Sequence, residues 1–429
     1  MKEPERLLQE YLRINTSNPP GEEEKAANFL KDLLFQEGIP VKVYKVASGR
    51  ANLLAKLGDG DGAFLMMHHM DVVPAEGDKW EVDPFSGEII GNYIYGRGAL
   101  DTKGFGIAQV CALLRVKREN KTLKRPVWLL ATCDEETGGR LGARWCLENL
   151  EELKRVAFAL NEGGGIILNE EGKVHRCEIS VAQKIVAQFG LRAQGEGGHG
   201  SMPHRNNACE KLIRAVEKIL NYKEPPRLIE LVENYFKSLA LFSEGEERRI
   251  FTNLHKAIKE REDYFLARPH FNALIRNTYT LTVLKAGEKV NVIPSEALAY
   301  FDARLLPDED PKAFLEKMKK LIEDPEVELF PCGEGELSPP TPLETPLYEA
   351  LCEVIRKREG KVLIVPSLIP GATDSRFFRS KGIPCYDFSP FRLRQEEMKL
   401  IHNQNERLSL ENLYFAIDFL YELTLQVAT

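Results

Sequence analysis

The chain has 429 residues, 43% hydrophobic and 29% charged, with a formal net charge of −7. That length predicts two or three domains and a large core. The acidic balance argues against a nucleic-acid surface, and no apolar run reaches the ~18 residues a membrane span needs.

Helical spacing predicts helices over 4–14 and 22–37, the second with Ala26, Phe29, Leu30, Leu33 and Leu34 on one face. Between them Asn15-Thr16-Ser17-Asn18-Pro19-Pro20-Gly21 reads as a loop. Strands are predicted at 41–47, 52–57 and 63–68, then a helix over 104–118. A strand at 127–132, a helix over 139–154 and a strand at 156–160 follow. This alternation predicts an α/β fold with a mixed, parallel-rich sheet and helices on both faces. The pattern changes near Ser180. A strand over 180–194, a helix over 207–220 and a charge-rich helical stretch over 227–268 come next. Strands at 277–285 and 296–304, a helix over 311–323 and a strand at 326–330 complete an α+β unit. Residues 180–331 therefore read as a domain inserted between 1–179 and 332–429, with the Pro- and Gly-rich segment 331–346 as its exit. A helix over 346–358, strands at 362–365 and 383–388 and a helix over 409–426 resume the first domain.

The most informative stretch is Asp134-Glu135-Glu136-Thr137-Gly138-Gly139, directly after the apolar strand Val127 to Thr132. Carboxylates crowded where a buried strand opens into a loop repel one another and lose solvation. A metal ion or basic side chains compensate them; the alternative is an exposed acidic turn at a helix N-terminus. Open α/β sheets bind ligands at the carboxyl ends of their strands. Other predicted strand ends and turns carry similar residues. His68-His69-Met70-Asp71 follows one strand, and Asn161-Glu162-Gly163-Gly164 another. Asp101 lies in the Gly-rich turn 96–104, and His402 lies far along the chain. A His and an Asp two residues apart can pair, freeing one imidazole nitrogen for a metal. The Gly96-Arg97-Gly98 turn lacks the third glycine of a dinucleotide loop. Eight scattered cysteines without a CxxC pair argue against a disulfide framework or zinc ribbon. Met1-Lys2-Glu3-Pro4 opens no signal-peptide core, so cytoplasm is the expected location.

The segments HxDVVP at 69–74, GRGxxDxKG at 96–104, DEE at 134–136 and NEGG at 161–164 resemble the M20 family of metallopeptidases. GGHGSMP at 197–203, NVIP at 291–294, GATDSRFF at 371–378 and HNQNERL at 402–408 extend the resemblance along the chain. The region from Asn272 to Pro294, with the helical insertion before it, is similar to the branch holding carboxypeptidase S and N-fatty-acyl amino acid hydrolases. The resemblance implies two zinc ions per subunit, with cobalt or manganese as alternatives. His69 and Glu162 would hold one ion, Glu136 and His402 the other, and Asp101 would bridge them. Asp71 would orient His69, and Glu135 would be the general base. The inserted domain would be a ferredoxin-like lid that forms a homodimer, its His199 stabilising an oxyanion in the neighbouring subunit's site. Asn291 and Arg304 would touch substrate from the lid. Arg376 would grip a substrate carboxylate with its planar fork; a salt bridge to Asp374 or Asp387 is the alternative. His68 stands where the family has a small or apolar residue, and strand alternation turns it to the face opposite His69.

The expected activity is binuclear zinc-dependent hydrolysis of an amide bond beside a free carboxylate, in an N-acyl amino acid or short peptide. A dipeptidase or carboxypeptidase is the alternative within enzymes. A silent homologue is the alternative outside them, and the presence of Glu135 and all five ligands argues against it. No nucleic-acid or membrane partner is expected.

Overall fold

A computed structural model describes residues 2–333 and 335–429. The chain divides into two compact units. The first comprises Met1–Val181, Thr341–Ser367 and Thr373–Thr429, and the second Ala182–Pro340 and Leu368–Ala372.

The first unit is built on a mixed sheet. Its strands run in the order Val41–Ala47, Arg50–Leu57, Val127–Thr132, Ala63–His69, Val156–Asn161, Cys385–Asp387, Val174–Gln183, Gly165–Leu168 and Arg392–Leu393. The α/β reading holds, with parallel and antiparallel pairs together. Four central strands are mutually parallel: Val127–Thr132 beside Ala63–His69, then Val156–Asn161, then Cys385–Asp387. Parallel neighbours end at one edge of a sheet. The residues after Thr132, His69 and Asn161 are thereby gathered together. Ala63–His69 and Val127–Thr132 are buried along their whole length, which is why their sequences are near-continuous apolar runs rather than alternating ones. The helix Lys103–Arg118 is buried over most of its residues and packs against Leu410–Ala428.

The second unit is an antiparallel sheet in the order Thr278–Ala286, Glu296–Leu305, Phe189–Gln194 and Val327–Pro331. Glu296–Leu305 alternates buried and half-buried residues. Its Phe301 stacks on Phe189 with ring centroids 4.9 Å apart. The helices Ala208–Asn221 and Pro311–Ile322 supply Leu212, Ile219, Phe314 and Met318 to the same core. The charge-rich stretch resolves into five short helices between Glu230 and Leu274. They close on a cluster of rings, Tyr235, Phe236, Phe251, Tyr264, Phe265 and Phe271. No helix among the described residues is long and apolar enough to cross a membrane.

Two expected elements differ. The helix expected over 139–154 is three pieces, Arg140–Arg144, Trp145–Asn149 and Glu151–Arg155. Gly142 breaks it with φ −90° and ψ −115°, and a Cβ there would lie 1.9 Å from the Cys133 carbonyl oxygen. The strand expected over 180–194 begins earlier, at Val174, and is interrupted after Gln183 and Val186.

The first interruption holds a buried lysine. Lys184 donates to the Arg276 carbonyl and the Thr278 hydroxyl, both at 2.9 Å. Burial, reinforced by the Arg304 charge, lowers its ammonium to about 7. A lysine depressed in the folded state binds more protons when unfolded, so folding strengthens as pH rises from about 7 towards the ordinary ~10.4. Urea unfolding of wild type and Lys184→Met across that range should show wild type gaining on the variant, by up to about 1.4 kcal/mol per pH unit. Parallel curves would mean that Lys184 titrates normally.

Candidate metal centre

His69 closes the strand Ala63–His69. Its Nδ1 lies 2.8 Å from the Asp71 carbonyl oxygen, an acceptor, so Nδ1 carries the hydrogen and Nε2 is the nitrogen available to a ligand. Nε2 faces Asp101 Oδ1 at 2.8 Å and Glu162 Oε1 at 3.2 Å. The other Asp101 oxygen faces His402 Nε2 at 2.9 Å, and His402 Nε2 lies 3.2 Å from Glu136 Oε1. One oxygen of Asp101 thus addresses each imidazole. Ligand atoms of His69, Asp101 and Glu136 lie within 4.8 Å of one another, and so do those of His69, Glu135 and Glu162.

The electrostatics show what this crowding does. Burial pushes the Glu135 carboxyl well above the usual range, with Glu162, Asp374 and Glu136 adding repulsion. Burial likewise raises Glu162, to about 8, beside the charge of Asp101. His402 rises to about 10 through its bonds to Asp101 and Glu136. Burial alone would lower His69, but Glu162, Asp101 and Asp71 outweigh it and hold the imidazole well above its ordinary value. Without a cation the cluster therefore retains protons. A divalent cation would supply the same compensation, and the imidazole and carboxylate donors suit zinc.

Asp71 does more than the resemblance implies. It meets His69 through its main-chain carbonyl, while its carboxylate Oδ1 stands 3.6 Å from the ring. That buried carboxylate also accepts the backbone N–H groups of Glu135 and Glu136, both at 3.1 Å, and the Asn18 amide at 2.8 Å. Asn18 also donates to Thr137 Oγ1 at 2.9 Å. The Asn15-to-Gly21 loop carrying it is tied to Val72 in both directions. Asp134 turns through φ +71°, and its carboxylate accepts from Thr137, Arg50 and Leu141. Gly139 follows at φ +67°, where a Cβ would meet Asp374 Oδ1 at 2.4 Å. The loop 134–139 is thus pinned at both ends, and Glu135 and Glu136 project from it.

His68 faces away, as strand alternation predicts. Its Nδ1 bonds Gln109 Oε1 at 2.9 Å and its Nε2 faces the Tyr11 hydroxyl at 3.4 Å. Burial lowers it to about 4, so it is a neutral core histidine. Arg376 donates to the Thr373 and Gly138 carbonyls at 2.7 and 2.8 Å, and Nη1 is 4.0 Å from Glu135 Oε1. The carboxylates expected as its alternative partners have others: Asp387 pairs with Arg379, and Asp374 accepts the Thr132 hydroxyl.

Three expected site residues belong to the second unit. His199 lies in a two-residue strand paired with Val292–Ile293. Its Nδ1 accepts from the Ser201 backbone at 3.2 Å and can pair with the Ser201 hydroxyl at 2.8 Å, so the exposed Nε2 carries the hydrogen. The Asn291 carbonyl accepts the Gly200 N–H at 2.8 Å, placing Asn291 beside this turn. The Arg304 guanidinium is engaged by Asp302, at 2.8 and 3.3 Å.

Residues 65–426 match the model of peptidase family M20/M25/M40. The chain belongs to that family. It is 30% identical over 405 residues to the N-fatty-acyl-amino acid synthase/hydrolase PM20D1 of Xenopus tropicalis, covering 89% of this chain and 74% of the relative. It is 29% identical over 411 residues to aminoacylase-1A of Rattus norvegicus, covering 94% and 90%. Among solved structures, the M20 family metallo-carboxypeptidase Sso-CP2 of Sulfolobus solfataricus aligns over 100% of both chains with a TM-score of 0.77 and 23% identity. This M20 chain is accordingly a metal-dependent hydrolase. Motif reading assigned no role to Asn18, Arg50 or Glu406. Asn18 stood in a turn signal, and Glu406 stood inside a quoted motif.

Proposed function

We propose that this M20 protein holds two divalent cations, zinc first among them, and hydrolyses the amide bond of N-acyl amino acids or short peptides with a free carboxylate. The observation that carries the reading is Asp101, with one oxygen towards His69 and the other towards His402. His69, Glu162 and one Asp101 oxygen form one donor set; His402, Glu136 and the other oxygen form the second. Bound there, the cations would lower the pKa of a water and polarise the scissile carbonyl. Glu135 takes the proton of the attacking water and returns it to the departing amine nitrogen. Asp71 sets the position of Glu135 by holding its backbone. His199 would offer an Nε2–H to the carbonyl oxygen in the neighbouring subunit's site as charge develops there. Each terminal nitrogen of Arg376 keeps a second N–H beyond those given to carbonyl oxygens, which a substrate carboxylate would take up. The lid unit would carry the homodimer contact, and Asn291 and Arg304 would meet substrate from it.

Relatives named for acyl-amino-acid chemistry cover most of this chain, which favours N-acyl amino acids over peptides. A screen of N-acyl amino acids, dipeptides and their carboxyl-terminal amides, with zinc, cobalt or manganese, tests the reading. Free acids should turn over, and each amide should react at least about tenfold more slowly in kcat/KM, because the remaining N–H groups of Arg376 would lose their charged acceptor. Arg376→Lys should not restore the preference, since an ammonium lacks the fork. Dipeptides outrunning N-acyl amino acids would select the peptidase alternative. Equal rates on acid and amide, unchanged in Arg376→Ala, would remove the carboxylate requirement.

A further inference from the structure

We propose that Glu406 is a positioning residue that sets the cation affinity of the His402–Glu136 half of the centre; the proposal rests on the two-cation reading. Asp101 and His402 are 301 positions apart in sequence and meet at 2.9 Å. Neither sits on a strand of the main sheet. Asp101 lies in a turn before the helix Lys103–Arg118, and His402 lies in the turn before Arg407–Ser409. His69 and Glu162, by contrast, are fixed by adjacent parallel strands. The second half of the centre therefore needs another source of register.

Glu406 supplies it. Its carboxylate is fully buried and accepts four hydrogen bonds from one loop. Oε2 takes Arg97 Nη1 at 2.7 Å and the Gly98 N–H at 3.2 Å. Oε1 takes the Leu100 N–H at 2.8 Å and the Asp101 N–H at 3.0 Å. The contact is returned from the loop to the tail: Arg97 Nη1 also donates to the Asn403 carbonyl at 3.1 Å, and the Gly96 N–H to the Glu406 carbonyl at 3.0 Å. Arg97 is backed by the Trp80 ring, 5.3 Å from its centroid. The tail turn needs holding, because His402 and Asn405 both adopt positive φ, at 61° and 58°. Such residues persist where the surroundings over-determine them. One carboxylate thus fixes the backbone of the bridging aspartate and, four residues from His402, the turn that aims its imidazole.

Glutamine cannot replace it. An amide offers one oxygen where four donors converge on two, and its NH₂ would face N–H groups. The test is titration of metal-free protein with cobalt, followed by visible absorption and by competition with a chelator. Wild type should take two ions in separable steps. In Glu406→Gln one of the two steps should lose about 10–100-fold in affinity, the range for outer partners of metal ligands, and the other should change less. Arg97→Lys keeps a positive charge beside Glu406, but its shorter side chain withdraws the nitrogen that Glu406 and Asn403 share and the guanidinium that lies over Trp80. It should show the same selective loss to a smaller degree, and it decides the matter if Glu406→Gln does not fold. A folded variant that binds both ions as wild type does, or that weakens both steps equally, overturns the role given to Glu406. Wild type binding a single equivalent overturns the two-cation reading, and the proposal with it.

Discussion

Replacing Glu135 with glutamine should leave both cations bound and lower turnover by at least about 10²–10⁴-fold, the range for a lost general acid–base. The loop should survive the change. Asp71 holds Glu135 by its backbone N–H, which glutamine retains. The neighbouring Glu136, whose Oε1 lies 3.2 Å from His402 Nε2, is the carboxylate assigned to the metal. The test is sharp because the geometry allows a rival. Glu135 also lies within ligand distance of His69 and Glu162. If it were a ligand, Glu135→Gln would lose a cation and keep its turnover per remaining cation. Metal content and single-turnover rate measured on one preparation separate these outcomes. Full cation occupancy with a collapsed rate identifies the base.

Much of this candidate site is legible in the sequence, for a physical reason. Its candidate ligands other than His402 follow buried strands or lie in a glycine-rich turn, and both leave strong local signals. The runs at 63–69 and 127–132 are apolar because both sheet faces are covered, so the polar residues ending them stand out. The positioning groups were harder to see. Asn18, Arg50 and Glu406 act through bonds to backbone and to residues far away in sequence, and nothing local marks such a bond. Asp71 shows the limit more finely. The His–Asp spacing suggested a side-chain pair; the carboxylate does stand 3.6 Å from His69 Nδ1, but the carbonyl is closer, at 2.8 Å, and the carboxylate also serves the 134–137 loop. In the fold, the helix expected over 139–154 gave way at Gly142, where the Cys133 carbonyl comes too close for any side chain. A helical pattern in sequence cannot register that approach.

Mixing two inactive variants should restore activity if His199 serves the neighbouring subunit's site. His199→Ala removes the proposed oxyanion donor, and Glu135→Gln removes the base. After subunit exchange, a mixed dimer contains one site with intact Glu135 and the partner's intact His199. Its other site lacks both. Random pairing of equal amounts makes half the dimers mixed, so activity should recover to about a quarter of wild type in an isologous dimer. Ser201 occupies the His199 Nδ1, its Nε2–H is left facing outward, and pairing of Gly198 and His199 with Val292–Ile293 fixes the turn. His199 is exposed and its main-chain pairing survives the substitution, so His199→Ala should fold and bind both cations normally. Tagged subunits report the extent of exchange independently. Complete exchange without recovery would mean that His199 acts within its own chain or takes no part in the reaction, and the quarter-recovery expected here would be wrong.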